Sequence, residues 1–151
     1  MRTTQRLVAA AVGLAALVAL GAERVHAQAQ PAAATAAPKV RIMSPQQNAV
    51  VTGPSVHVVL QAQGIEIAPA AEHKPGTAHH HLFLDTDVTP ADAPIPMGAK
   101  GIVHLGKGQT EFTLDSVAPG PHRLIAMLGD PSHVPLKPSA VDTVRFTVKA
   151  P

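Results

Sequence analysis

The 151-residue chain has no cysteine, no tryptophan and no tyrosine, and only three phenylalanines. Without cysteine no disulfide can brace the fold, no thiolate can act as a nucleophile, and no lipid can be attached through sulfur. Stability must come from packing and backbone hydrogen bonds, with a bound ligand as the remaining source of help. The core has to be built from Val, Leu, Ile, Ala and the three Phe. Without Trp and Tyr the chain has no aromatic platform for stacking sugars, and only Phe is left for stacking bases. No serine lies in a Gly-x-Ser-x-Gly turn. Gly106-Lys107-Gly108 lacks the spacing and the following Ser/Thr of a phosphate-binding loop.

The positive charge is also scarcer than it looks. The isoelectric point is near 9.3, which by itself points toward nucleic acid or anionic membranes. Arg2 and Arg6 precede an unbroken run of Leu, Val, Ala and Gly from Leu7 to Leu20, and Val25-His26-Ala27 offers small residues for cleavage. This is the three-part pattern of a secretory signal peptide, too short for an ordinary membrane span. No Arg-Arg pair precedes the run, so export in an already folded state is not suggested. Residues 1–27 are expected to be removed, and the mature chain to be periplasmic or secreted. Removal takes away Arg2, Arg6 and Arg24 and one acid, Glu23, so the formal charge of +2 falls to zero. No basic cluster remains, so no nucleic-acid partner is expected. No second apolar run follows, so no transmembrane span is expected after cleavage.

Residues 28–38 (QAQPAAATAAP) have no hydrophobic period and read as an Ala/Pro-rich linker. Residues 39–151 read as one domain, and its pattern is β. Val40–Met43 is a short strand candidate ended by Ser44-Pro45, and Asn48 to Pro54 reads as a turn. Val56, Val58 and Leu60 alternate with His57, Val59 and Gln61, the period of a half-buried strand. Further candidates are Ile65–Ile67, His79–Leu84, Ile102–Leu105, Thr110–Leu114, His122–Leu128 and Val141–Val148. Seven or eight short strands separated by turn signals predict an all-β, immunoglobulin-like antiparallel β-sandwich. A jelly roll or small barrel is the alternative. Thr86 to Gly101 contains Pro90, Pro94 and Pro96 and no strand pattern. Loops of this length are uncommon in compact domains and are often functional.

The chemistry-bearing stretch is Ala78-His79-His80-His81-Leu82-Phe83-Leu84-Asp85. On a strand, His79 and His81 point to one side and His80 to the other, with Leu82 and Leu84. If the leucines face the core, His79 and His81 lie outward or at a rim. If Phe83 marks the core side, the roles reverse. Imidazole is a preferred donor for Zn and Cu, so the run reads as a metal-ligand strand or as a polar strand edge. His104 lies across the long loop from it, and His133 sits in the Pro-bracketed turn Gly129–Pro135. Both are candidate ligands. His122 follows Pro119-Gly120-Pro121, where its side chain can bond back to the turn and pin the strand entry. His57 and His73 read as solvated. Asp85 is placed to orient a ligating His, or to pair with one as acid or base. Met43, Met97 and Met127 are dispersed, and Met127 reads as core.

These segments also carry a resemblance. His79 to Thr86, Pro94-Ile95-Pro96, His104 to Glu111, Pro119 to Leu124 and Gly129 to Pro135 together resemble the exported bacterial domain of unknown function 4399 family. The likeness runs over roughly Gly76 to Val148. It implies a secreted β-sandwich-like domain in which these motifs form one unit, and it brings no activity with it. The family pattern often has a second His three residues beyond the position of His133, in a His-Val-Pro-His run, where this chain has Leu136.

The expectation is a non-catalytic, exported domain that binds one Cu or Zn ion. Its ligands are drawn from His79, His81, His104 and His133, with His80 as substitute and Asp85 and His122 in support. The alternative is a metal-free envelope module. It would meet a protein, glycan or small ligand through its Pro-rich loop and a His-rich rim. A hydrolase using a His–Asp pair is a weaker third reading.

Overall fold

The computed structural model describes residues 36–151. The expected signal peptide and most of the expected linker lie outside the described residues. Nine strands follow in order. They are β1 (Lys39–Ser44), β2 (Val50–Thr52), β3 (Val56–Gln63), β4 (Glu66–Ile67), β5 (Thr77–Leu84), β6 (Ile102–Leu105), β7 (Glu111–Leu114), β8 (Gly120–Gly129) and β9 (Val141–Lys149). One 3-10 turn, Ala70–Glu72, separates β4 from β5. The strands form a three-stranded sheet in the order β1-β3-β7. A six-stranded sheet runs β2-β9-β8-β5-β4, with β6 also paired to β5. The fold is an all-β sandwich.

Alternation places the core. Val40 and Ile42 of β1, Val56, Val58 and Leu60 of β3, and Leu114 of β7 are buried. They face Leu82, Leu105, Leu124, Ala126, Leu128, Val144, Phe146 and Val148 of the larger sheet in one cluster. Each fully buried Leu, Val or Phe contributes about 1.5–3 kcal/mol relative to exposure.

Two findings differ from the sequence expectation. The segment read as a turn holds β2, which pairs with β9 in parallel, Val50 opposite Thr147 and Thr52 opposite Lys149. It carries no buried alternation and is held by backbone bonds such as Thr147 N–H to Ala49 O, 2.9 Å. No side-chain period announces such a strand. The short β4 likewise pairs with β5 in parallel, so the sandwich is antiparallel except at these two places.

The second finding positions the site. β5 is buried on both faces over Thr77 to Phe83. Ala78, His80 and Leu82 face the sandwich interior. The other face carries His79, His81 and Phe83, and it is covered as well. There Phe83, Ile125 and Met127 form a second small core with Ile95 of the long loop and Ile102 at its edge. The loop is tied down where its ends meet and again near its middle. Leu84 N–H donates to Gly101 O at 2.7 Å, and Ile95 N–H donates to His133 O at 2.8 Å. Gly101 has φ +80°, and an added Cβ would lie 2.6 Å from the Leu84 carbonyl oxygen. Only glycine closes the loop back onto β5 at that point.

Candidate metal centre

β5 sits between β8 and β6. Residues directly opposite on paired strands share a face. His81 lies opposite His104 on β6 and opposite Met127 on β8. Three strands therefore present Met127, His81 and His104 in one row, with His79 two residues from His81 on the same face. His133 comes in from above, on the turn after β8. That turn is built by Asp130, whose Oδ1 accepts the Ser132 and Val134 N–H groups at 2.8 and 2.9 Å. His133 itself has φ 65°, a left-handed backbone that His adopts more readily than β-branched residues. Asp130 O accepts its N–H at 2.8 Å.

His79, His81, His104 and His133 each bring one ring nitrogen into a group whose members all lie within 4.8 Å of one another. The His79 and His81 ring centroids are 4.6 Å apart, and those of His104 and His133 are 4.7 Å apart. The Nε2 atoms of His104 and His133 are 3.1 Å apart, so one ring donates to the other. His79 and His81 are 0% exposed, and neither of their ring nitrogens has a hydrogen-bond partner. A buried polar atom left without a partner costs about 1–3 kcal/mol. Four such atoms on two adjacent side chains call for an explanation.

Burial and mutual repulsion favour the neutral form of His79, His81 and His104. Burial first, then the charges that His104 and His133 would carry, pushes His79 down from 6.5 to about 4, although Asp130 pulls it up. Burial, then His79, His104 and His133, pushes His81 down to about 2. His104 is also lowered, by burial and then by His133. Neutral imidazole is the form that ligates a metal. The donor set is four nitrogens, with no thiolate and no carboxylate among them.

Two glycines make room for this cluster. A Cβ at Gly106 would lie 2.1 Å from Cε1 of His104, and one at Gly129 would lie 2.9 Å from Cε1 of His81. Neither position has a left-handed backbone, so the requirement there is for space rather than for conformational freedom. Both glycines lie inside motifs of the sequence, Gly106-Lys107-Gly108 and Gly129–Pro135, but nothing in those motifs signals this role.

The remaining candidates lie elsewhere. His80 is 0% exposed but points into the sandwich interior, where its Nδ1 lies 3.1 Å from Gln109 O. It is separate from the four-ring group. Burial lowers its pKa, and the Gln109 carbonyl opposes this. The expected His-rich rim is therefore corrected: His79, His80 and His81 are all interior, because the long loop and the His133 turn cover the outer face. Asp85 does not orient a ring of the group. Its carboxylate accepts His122 Nδ1 at 2.7 Å and the Arg123 N–H at 2.8 Å. His122 Nε2 also donates to Ala118 O at 2.7 Å, so His122 pins the entry to β8 and takes no part in the cluster. His57 faces Glu111 at 3.3 Å on the surface, and His73 is exposed. Met97 is 62% exposed, whereas Met127 is buried at 2% beside His81.

Comparison with solved structures gives weak likenesses. A fibronectin(III)-like module of Clostridium thermocellum CbhA shares 16% identity at a TM-score of 0.43, over 74% of this chain and 96% of that one. An engineered protein shares 14% identity at a TM-score of 0.45, over 77% of this chain, which spans 21% of that protein. No curated protein matches the chain. The family comparison is of another kind. The model of a domain of unknown function, DUF4399, matches residues 58–149. That stretch runs from β3 to the end of β9 and contains every ring of the histidine cluster, with the glycines and the loop that enclose it. The chain belongs to the DUF4399 family.

Proposed function

We propose that this is an exported, cell-envelope domain that binds one transition-metal ion, zinc or copper, through His79, His81, His104 and His133. The observation that carries the reading is the convergence of four ring nitrogens within 4.8 Å, two of them on rings with no hydrogen-bond partner. A tetrahedral zinc ion with bonds of about 2.0–2.1 Å needs nitrogens roughly 3.3 Å apart. The His104–His133 separation of 3.1 Å is close to that. Four nitrogen donors that leave no open position suit a structural, storage or delivery site rather than a catalytic one. The export assignment rests on the sequence of residues 1–27.

The test is a competitive titration of tag-free protein with Zn(II) and Cu(II) at neutral pH. The expected result is one ion per chain, bound tighter than about 1 μM, with binding lost in both His81→Ala and His104→Ala. The metal-free module is the reading that survives if binding is weak, multi-site and indifferent to both changes.

A further inference from the structure

A cavity of about 430 Å³ opens beside the β8–β9 pair, lined by Arg123, Arg145, His122, Asn48, Thr147 and Asp85 among others. Its position follows from the register. Arg123 on β8 and Arg145 on β9 are directly opposite each other, so their side chains leave the sheet on the same face. Like charges at opposed positions destabilise a strand pair. Such a pair is explained when something negative lies between the two side chains.

The charges around the cavity can be accounted for one by one. Asp85 accepts the His122 ring and the Arg123 N–H. His122 has both ring nitrogens against oxygen acceptors, the bonding pattern of an imidazolium, so it balances Asp85. Arg123 reaches Asp87 at 2.6 Å, but the Asp87 side chain is 89% exposed, and exposed pairs of this kind are worth little. Arg145 makes no ion pair among the described residues; its backbone N–H is satisfied by Gln47 Oε1 at 2.9 Å. One guanidinium is thus uncompensated and a second is held only by a solvent-exposed acid. The Asn48 amide and the Thr147 hydroxyl add neutral hydrogen-bonding groups to the same cavity.

We propose that this cavity is an oxyanion site: Arg123 and Arg145 together grip a carboxylate- or phosphate-bearing small molecule, with Asp87 as the acid it displaces. Guanidinium forks match the paired oxygens of either group. The site is independent of the metal reading, since none of the four clustered histidines lines the cavity.

The test is a calorimetric titration of metal-free protein at low ionic strength with citrate and, separately, with inorganic phosphate. Four proteins are compared: wild type, Arg145→Gln, Asp87→Asn and Arg41→Gln. Arg41 is an exposed arginine on β1, outside the cavity, and controls for bulk charge. The expected result is saturable one-site binding of at least one probe with a dissociation constant of about 1 mM or tighter. It should weaken about tenfold or more in Arg145→Gln, tighten in Asp87→Asn and stay unchanged in Arg41→Gln. Binding of citrate alone assigns the site to carboxylates, and binding of phosphate alone assigns it to phosphates. No saturation by either probe up to about 10 mM, or equal weakening in Arg41→Gln and Arg145→Gln, overturns the proposal.

Discussion

Histidine does two opposite jobs in this domain, and its surroundings decide which. His79 and His81 are buried among other histidines, which favours their neutral form, whereas the partners of His122 favour its charged form. Burial alone would lower His122, but its bonds to Asp85 and to the Ala118 carbonyl, and the Asp85 charge, raise it above 6.5. Asp85 is the mirror image. Burial pushes it up, but the Arg123 N–H and His122 hold it below 3.8. The sign of the pH effect follows. The His122 contribution is complete below about pH 6.5 and is lost as pH rises through its raised folded value. The Asp85 contribution is complete above about pH 3.9 and is lost as pH falls through its lowered one. Urea unfolding of wild type and His122→Gln should therefore show a larger stability gap at about pH 5.5 than at about pH 9. An equal gap at both pH values would remove the ion pair from the account. This role was half legible. The turn Pro119-Gly120-Pro121 before His122 suggested a local pin, but Asp85 lies 37 residues away, and no local pattern signals such a pairing.

Among the elements, period two placed His79 with His81 and set His80 apart, because strand geometry alone dictates it. Their burial was not legible. Alternation describes a strand with one covered face, whereas the second face of β5 is covered by the long loop and by the His133 turn, neither of which has a periodic signal. The strand β2 escaped for a related reason: backbone bonds to β9 hold it, and no buried side-chain alternation marks it. Gly106→Ala should drive the His104 ring out of the cluster, because the three atoms nearest the added Cβ all belong to that ring. Metal affinity should fall about 10–100-fold while the melting temperature of the metal-free protein changes little, and an unchanged affinity would contradict the geometry. Ile95→Ala should remove the apolar plug, 2% exposed, that holds the loop on the sheet. It should cost about 2–4 kcal/mol in stability and speed metal release to a chelator at least several-fold. A normal release rate would show that the loop does not control access.

At the scale of the whole molecule, the sandwich frames the cluster, and the cluster gives the metal-free protein a pH liability. The unfolded chain takes up protons below about pH 6.5 that folded His79 and His81 accept only near pH 4 and 2. Stability of the metal-free protein should therefore fall as pH drops from about 6.5, by at most about 1.4 kcal/mol per pH unit for each such ring. His81→Leu should flatten that slope. A pH-independent urea midpoint between about pH 6.5 and 4.5 would mean that the rings are not buried as described. The all-β class was readable from the spacing of turn signals, and the family from the order of its His-, Gly- and Pro-containing segments. The assembly of residues 79, 81, 104 and 133 into one group was not fixed by spacing, because it depends on β6 pairing with β5 and on the turn after β8 folding back over both. The central claim is that these four rings hold a metal ion. X-ray absorption at the zinc edge of tag-free protein loaded with one equivalent tests it most directly. The expected spectrum has a first shell of about four nitrogens near 2.0 Å with outer-shell scattering from several imidazoles, disrupted in His133→Ala. A shell dominated by water and carboxylate oxygens, or a spectrum that His133→Ala leaves unchanged, would contradict it.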